Sequence, residues 1–161
     1  MAIRNVRVLG DEILTKRAKE VKEMTPKIKE LIQDMLETMY EQEGVGLAAP
    51  QVGILKRIVV IDVSEEGDCP IILINPEVIE TSGEQTGSEG CLSVPGKVGM
   101  VTRPNYAKVR AFDENMEEIE VEGEELLARA LLHETDHLDG KLYVDLVEGE
   151  LYDTDDLIDE D

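Results

Sequence analysis

The chain has 161 residues and a formal net charge of −21, with 16 Lys and Arg against 37 Asp and Glu. That field disfavours direct binding of nucleic acid, whose phosphates need Lys and Arg, and no apolar run approaches a signal peptide or the ~18 residues of a membrane span. The length fits one domain with a real core, aliphatic because the chain has no Trp and one Phe, and two cysteines make no disulfide framework and fit the reducing cytoplasm.

Residues 11–21, DEILTKRAKEV, read as a short helical turn or an extended entry segment. Thr25 then caps a helix with Pro26 in its first turn, and Ile28, Leu31, Ile32, Met35 and Met39 follow at helical spacing up to a stop at Gly44. Beyond it the period changes. RIVVIDV (57–63), IILIN (71–75), EVIET (77–81), KVGMVT (97–102), YAKVRAF (106–112) and EEIEVEG (117–123) predict strands, with DENM (113–116) as a hairpin turn. A second amphipathic helix runs from about Glu124 to Leu138 and stops at Gly140. Strands massed between two helices, without β-α-β alternation, predict an α+β fold with mainly antiparallel sheets. The charge is uneven: residues 58–161 hold six Lys and Arg against twenty-eight Asp and Glu. From Glu148 the chain is acidic without cationic partners, so residues 1–147 read as one catalytic domain and 148–161 as a flexible acidic tail.

The stretch LLHETDHLDG holds both histidines of the chain, His133 and His137, with Glu134 directly after the first. Four residues apart on a helix, they sit ~40° from each other, and Leu126 and Ala130 fall on the same face. An apolar face bearing two imidazoles suits a metal beside a hydrophobic pocket, with Glu134 ~80° around from Leu126. The plain alternative is a pair of hydrogen-bonded core histidines, but a carboxylate against that face then has no purpose. Two imidazoles do not complete a catalytic site. Asp145, Glu148 and Glu150 are available downstream; Cys91, in the small-residue stretch GSEGCLSVPG, is the better third donor, although a free cysteine is more often an inert buried thiol. A third unusual stretch, GVGLAAPQVG (44–53), has room only for backbone and ends near the neutral amide of Gln51. Alone it reads as a tight helix-to-strand connection.

GVGLAAPQ (44–51), EGCLS (89–93) and HETDH (133–137) together resemble the three motifs of the peptide deformylase family, in its order and approximate spacing, and the resemblance extends to about Asp145. It implies antiparallel strands around a central helix bearing the HExxH motif. It also implies a cytoplasmic, iron(II)-dependent hydrolase that takes the N-formyl group off the methionine of nascent peptides and releases formate, with zinc or nickel entering the purified protein. By the same resemblance Cys91, His133 and His137 are the metal ligands, with water as the fourth, and Glu134 is the general acid/base. Gln51 and the backbone N–H of Leu92 stabilise the oxyanion. Val45, Leu126 and Ala130 line the methionine pocket, Gly46 and Gly90 present backbone to the peptide, and Arg103 braces Asp136. The chain departs from the family at Leu132, where Gln is usual, and in its short acidic end, which argues against docking to the ribosome by that route. Two other readings are a different metal amidohydrolase or peptidase on the same ligands, and a silent binding protein with a structural metal. The presence of both Gln51 and Glu134 argues against the silent protein.

Overall fold

A computed structural model describes residues 3–153. Its fold is α+β with antiparallel sheets. Helix α1 spans Pro26–Glu41, and the Thr25 hydroxyl accepts the N–H of Ile28 at 3.2 Å, as an N-cap does. The chain then passes through β1 (Gly46–Ala48), β2 (Ile58–Ile61), β3 (Ile71–Ser82), β4 (Gln85–Cys91), β5 (Val94–Arg103), β6 (Tyr106–Phe112) and β7 (Glu118–Glu124). Helix α2 (Leu126–Leu138) and strand β8 (Glu148–Asp153) complete it. Among the described residues the strands form a five-stranded sheet in the order β1-β2-β3-β6-β7 and a three-stranded sheet in the order β4-β5-β8. No described helix is long and apolar enough to cross a membrane.

The strand β2 explains the layering. Its sequence, IVVI, has no polar position because both of its faces are covered. Ile58 and Val60 join Ile28, Leu31, Ile32, Met35 and Met39 of α1 in one cluster. Val59 and Ile61 join Ala128, Ala130, Leu131 and Leu138 of α2 in another. The large sheet therefore lies between the two helices and holds α2 in place by its apolar face. Further along, α1 no longer covers the sheet, and Lys108 and Arg110 of β6 face carboxylates of Glu77, Glu120 and Glu122 instead. A third cluster, of Leu14, Val94, Val101, Leu142 and Tyr143, ties the small sheet to the N-terminal segment and to the chain after α2.

Several details differ from the sequence reading. IILIN and EVIET are one strand, not two: Asn75 takes φ 53 at a register shift between Ile74 and Glu77, while its side chain bonds both N–H and C=O of Val21 at 2.8 Å. The left-handed residue that ends α1 is Glu43 (φ 57) and not Gly44, whose missing Cβ instead leaves room for Leu92. Residues 11–21 contribute one short 3-10 turn at Glu12–Thr15, capped by Asp11. Helix α2 begins two residues late because β7 runs on to Glu124 and Glu125 (φ 57) reverses the chain. β1 and β4 appear where the sequence showed glycine-rich stretches without an apolar alternation.

The acidic end needs the largest correction. Residues 148–153, expected to belong to a flexible tail, form β8 against β5. Backbone pairing needs no apolar side chain, and the carboxylates find partners across the strands: Glu148 accepts from Thr102 at 2.6 Å and Asp153 pairs with Lys97. Gly99 leaves space for Val147 and Leu151 to close over the sheet. Residues 154–161 of that segment lie outside the described residues.

Gly140 stops α2 at φ 78, and a Cβ there would lie 2.4 Å from the carbonyl oxygen of Thr15. Strain and overlap act together, so Gly140→Ala should cost about 1–3 kcal/mol. The urea midpoint should fall while the slope stays constant.

Candidate metal centre

Three donors from two elements converge under the end of the small sheet. Cys91 closes β4 at a register shift that turns its thiol inward, while His133 and His137 stand one helical turn apart on the buried face of α2. Their ligand atoms all lie within 4.8 Å of one another. Cys91 Sγ is 3.3 Å from His137 Nε2, which is 3.3 Å from His133 Nε2. The other ring nitrogen of His133, Nδ1, meets the carboxylate of Glu89. That contact fixes the ring and leaves Nε2 free to give its lone pair to a cation, the usual arrangement behind a metal-bound imidazole.

Glu89 is only 6% exposed and has three hydrogen-bonding neighbours, Arg103, Arg129 and His133. Arg103 donates to both of its oxygens at 2.8 and 2.7 Å, and Arg129 donates to one at 2.7 Å. Burial by itself would raise its pKa. The hydrogen bonds from His133 and Arg103 outweigh burial and hold the carboxylate well below its ordinary range. Arg103 also reaches Asp136 at 3.0 Å, and its side chain is buried, so this is not a surface ion pair.

Glu134 sits beside the donors, with one oxygen 3.9 Å from His133 Nε2 and the other buried without a hydrogen-bond partner. Burial pushes its pKa up to about 7 against the opposing charge of His133. It can stand here only because position 46 is glycine: a Cβ on Gly46 would lie 2.5 Å from its carboxylate oxygen. Burial would lower His133, but Glu134, Cys91 and Glu89 outweigh it and raise the imidazole to about 10. Gln51 is pinned from the far side. Its Oε1 accepts the N–H of Ala48 at 2.9 Å, which turns Nε2 toward Ser93 Oγ at 3.0 Å and Cys91 Sγ at 3.5 Å.

Two hollows that share Val45, Gly90, His133 and Glu134 open onto these groups. A cleft of about 450 Å³ runs past Gly44, Val45, Gly46, Gly90, Leu92 and Lys97 to His133 and Glu134. A smaller recess of about 110 Å³ lies behind it, between Val45, Gly90, Leu126, Ala130 and the same His133 and Glu134. Every site residue read from the sequence thus lines one of these hollows or touches the donor cluster. The sequence reading missed the contacts of Glu89, Arg129, Ser93 and Tyr143 around the donor cluster, the last stacked on His133 at 6.0 Å. A signal existed for one of them: Arg129 lies four residues before His133 on a helix, so it shares a face with a donor.

Fold and site together define a metal-dependent hydrolase. A family model described as polypeptide deformylase matches residues 3–151. The peptide deformylase of Lachnoclostridium phytofermentans is 68% identical over 94% of this chain and 93% of its own, and that of Agathobacter rectalis 69% identical over 95% of each. Among solved structures, a peptide deformylase from Legionella pneumophila superposes with a TM-score of 0.87 at 45% identity, covering 91% of this chain and 86% of its own. One from Synechococcus elongatus, in complex with actinonin, gives 0.87 at 42% identity, covering 91% and 80%. The chain belongs to the peptide deformylase family, whose reaction removes the N-formyl group from nascent peptides.

Glu89→Ala should leave Arg103 and Arg129 without their shared buried partner and His133 without its orienting acceptor. Metal affinity should weaken about 10–100-fold, read by chelator competition. The same variant should lose about 3–5 kcal/mol of stability.

Proposed function

We propose that Cys91, His133 and His137 hold a catalytic iron(II) ion and that Glu134, Gln51 and Leu92 perform the deformylation around it. The observation that carries this reading is the meeting of one thiol and two imidazole nitrogens within 4.8 Å, beside a buried carboxylate without a full set of partners. When bound, the ion supplies positive charge that acidifies water and polarises a carbonyl oxygen at neutral pH. A thiolate with two imidazoles accepts iron(II), zinc or nickel, and family resemblance favours iron(II) as the active form.

The remaining work belongs to the chain. The formyl-methionyl peptide lies along the cleft, with the backbones of Gly46 and Gly90 facing it and its methionine side chain in the recess of Val45, Leu126 and Ala130. Glu134 takes the proton from the attacking water and returns it to the leaving amine. A carboxyl poised near 7 does both, and such transfer is worth ~10²–10⁴-fold. Gln51, whose carbonyl end is tied to Ala48, aims its N–H at the formyl oxygen as that atom becomes negative. The N–H of Leu92, next to Cys91, supplies the second donor. Nascent N-formylmethionyl peptides are the substrate, and the cytoplasm is where they are made. Stable ribosome docking through the C-terminal end is not expected, since β8 is acidic and committed to β5.

The test is formate release from a formyl-methionyl tripeptide by anaerobically prepared protein, with metal measured on the same sample. Iron(II) protein should turn over faster than zinc protein. Glu134→Gln should keep its metal and lose turnover by ~10²-fold or more. Gln51→Leu should lose ~10²-fold in kcat with a smaller change in KM. Cys91→Ser should fail to retain metal, whereas Cys69→Ser, at an exposed position, should retain it.

A further inference from the structure

The N-terminal segment touches α1, the loops that carry Gln51 and Ser93, and the end of α2. Arg4 donates its N–H to Thr38 of α1 at 2.9 Å and pairs with Asp34. Arg7 N–H donates to the carbonyl of Gln51 at 2.6 Å, and Leu9 N–H to the carbonyl of Ser93 at 2.7 Å. The chain then turns, with Asp11 N–H donating to Val8 O at 3.0 Å and Gly10 at φ 107. Leu14 is buried against Val94, Val101, Leu142 and Tyr143, and Ala18 N–H donates to Leu138 O at 2.8 Å.

Two of these bonds bear on the reaction. Gln51 and Ser93 meet inside the molecule through Nε2 and Oγ, at 3.0 Å. Outside, Arg7 and Leu9 grip the backbones of the same two residues. Two residues of extended chain span ~6.6 Å, so the strap acts as a ruler between the loop that carries Gln51 and the loop that carries Cys91. Ser93 N–H in turn lies 3.4 Å from Cys91 Sγ, which ties the thiol to the same ring of contacts.

We infer that residues 7–9 are a positioning strap, which sets the separation of the Gln51 and Cys91–Ser93 loops and so the aim of the Gln51 amide at the reacting centre. The inference rests on the proposed role of Gln51. Its chemistry is carried by two backbone donors. The side chain of Leu9 is 52% exposed and contributes little.

The geometry supplies a clean test. Leu9 is the second residue of a turn whose third residue is a glycine of positive φ, the turn in which proline is favoured at the second position. Leu9→Pro therefore keeps the turn and deletes the N–H given to Ser93, while Leu9→Ala removes the side chain and keeps the donor. Leu9→Pro should lose about tenfold or more in kcat with little change in KM, as expected for a small misplacement of a catalytic group. Its metal content should equal the parent's, and the thiolate-to-metal absorption band of the cobalt(II)-loaded protein should shift. Leu9→Ala should match the parent in both readouts. Parent-like kcat and band in Leu9→Pro would overturn the inference, as would an equal loss in Leu9→Ala. Hydrogen exchange on the unaltered protein decides the matter should Leu9→Pro not fold. The Arg7 and Leu9 amides should be protected to the same degree as the core of α2, and exchange at the rate of open chain would remove the strap. If the parent released no formate, the functional reading would fail, and the cobalt band and the exchange rates would still decide for or against the strap.

Discussion

The carboxylate of Glu89 is shared by Arg103 of β5, Arg129 of α2 and the His133 ring. It is the polar joint between the small sheet and the helix that the large sheet holds. A buried ion pair of this kind adds little net stability, because removing each charge from water costs nearly what the pairing returns. What it contributes is registry. The two guanidinium groups must meet one carboxylate with defined geometry, and Arg129 also donates to the carbonyl of Val101 at 3.1 Å. β4 and β5 can therefore settle on α2 in one position only. That position brings Cys91 opposite His133 and His137.

Around this joint the fold uses small residues to let large side chains approach. A Cβ on Gly87 would come within 3.3 Å of Arg129, and one on Gly44 within 2.9 Å of Leu92. Apolar packing holds α2 from the opposite side through Ala128, Leu131 and Leu138, so the histidines are fixed between a dry interface and a charged one. The arrangement keeps the donors on regular elements, while Val45, just before β1, and Leu126, the first residue of α2, remain 44% and 50% exposed at the cleft.

The helices were legible because their apolar positions repeat at helical spacing and Thr25, Pro26 and Gly140 mark their ends. β2 and β6 were legible as β-branched or alternating runs. β1, β4 and β8 were not, for a common reason: β1 is three residues long, β4 and β8 are mostly glycine and polar or acidic residues, and each is a strand by virtue of a neighbour's free edge. The site divides in the same way. Cys91, His133 and His137 belong to short motifs of unusual composition, and resemblance to a family assigned their roles. Glu89 stood inside one of those motifs without a role, since its meaning depends on Arg103 and Arg129 arriving from elsewhere in the chain. The contacts of Arg7 and Leu9 use backbone atoms, which leave no mark on side-chain identity.

The contact between Glu134 and the bare backbone of Gly46 also bears on how the cleft can change over generations. Any side chain at position 46 would displace the Glu134 carboxylate before it reshaped the rest of the cleft. That wall is therefore closed to selection, whether for new substrates or for escape from a molecule lodged against it. Variation is left to positions whose side chains already project into open space, Val45 and Leu126 first among them. An inhibitor that takes its hold on the backbone at Gly46 and Gly90 would meet a surface that this enzyme has little freedom to alter.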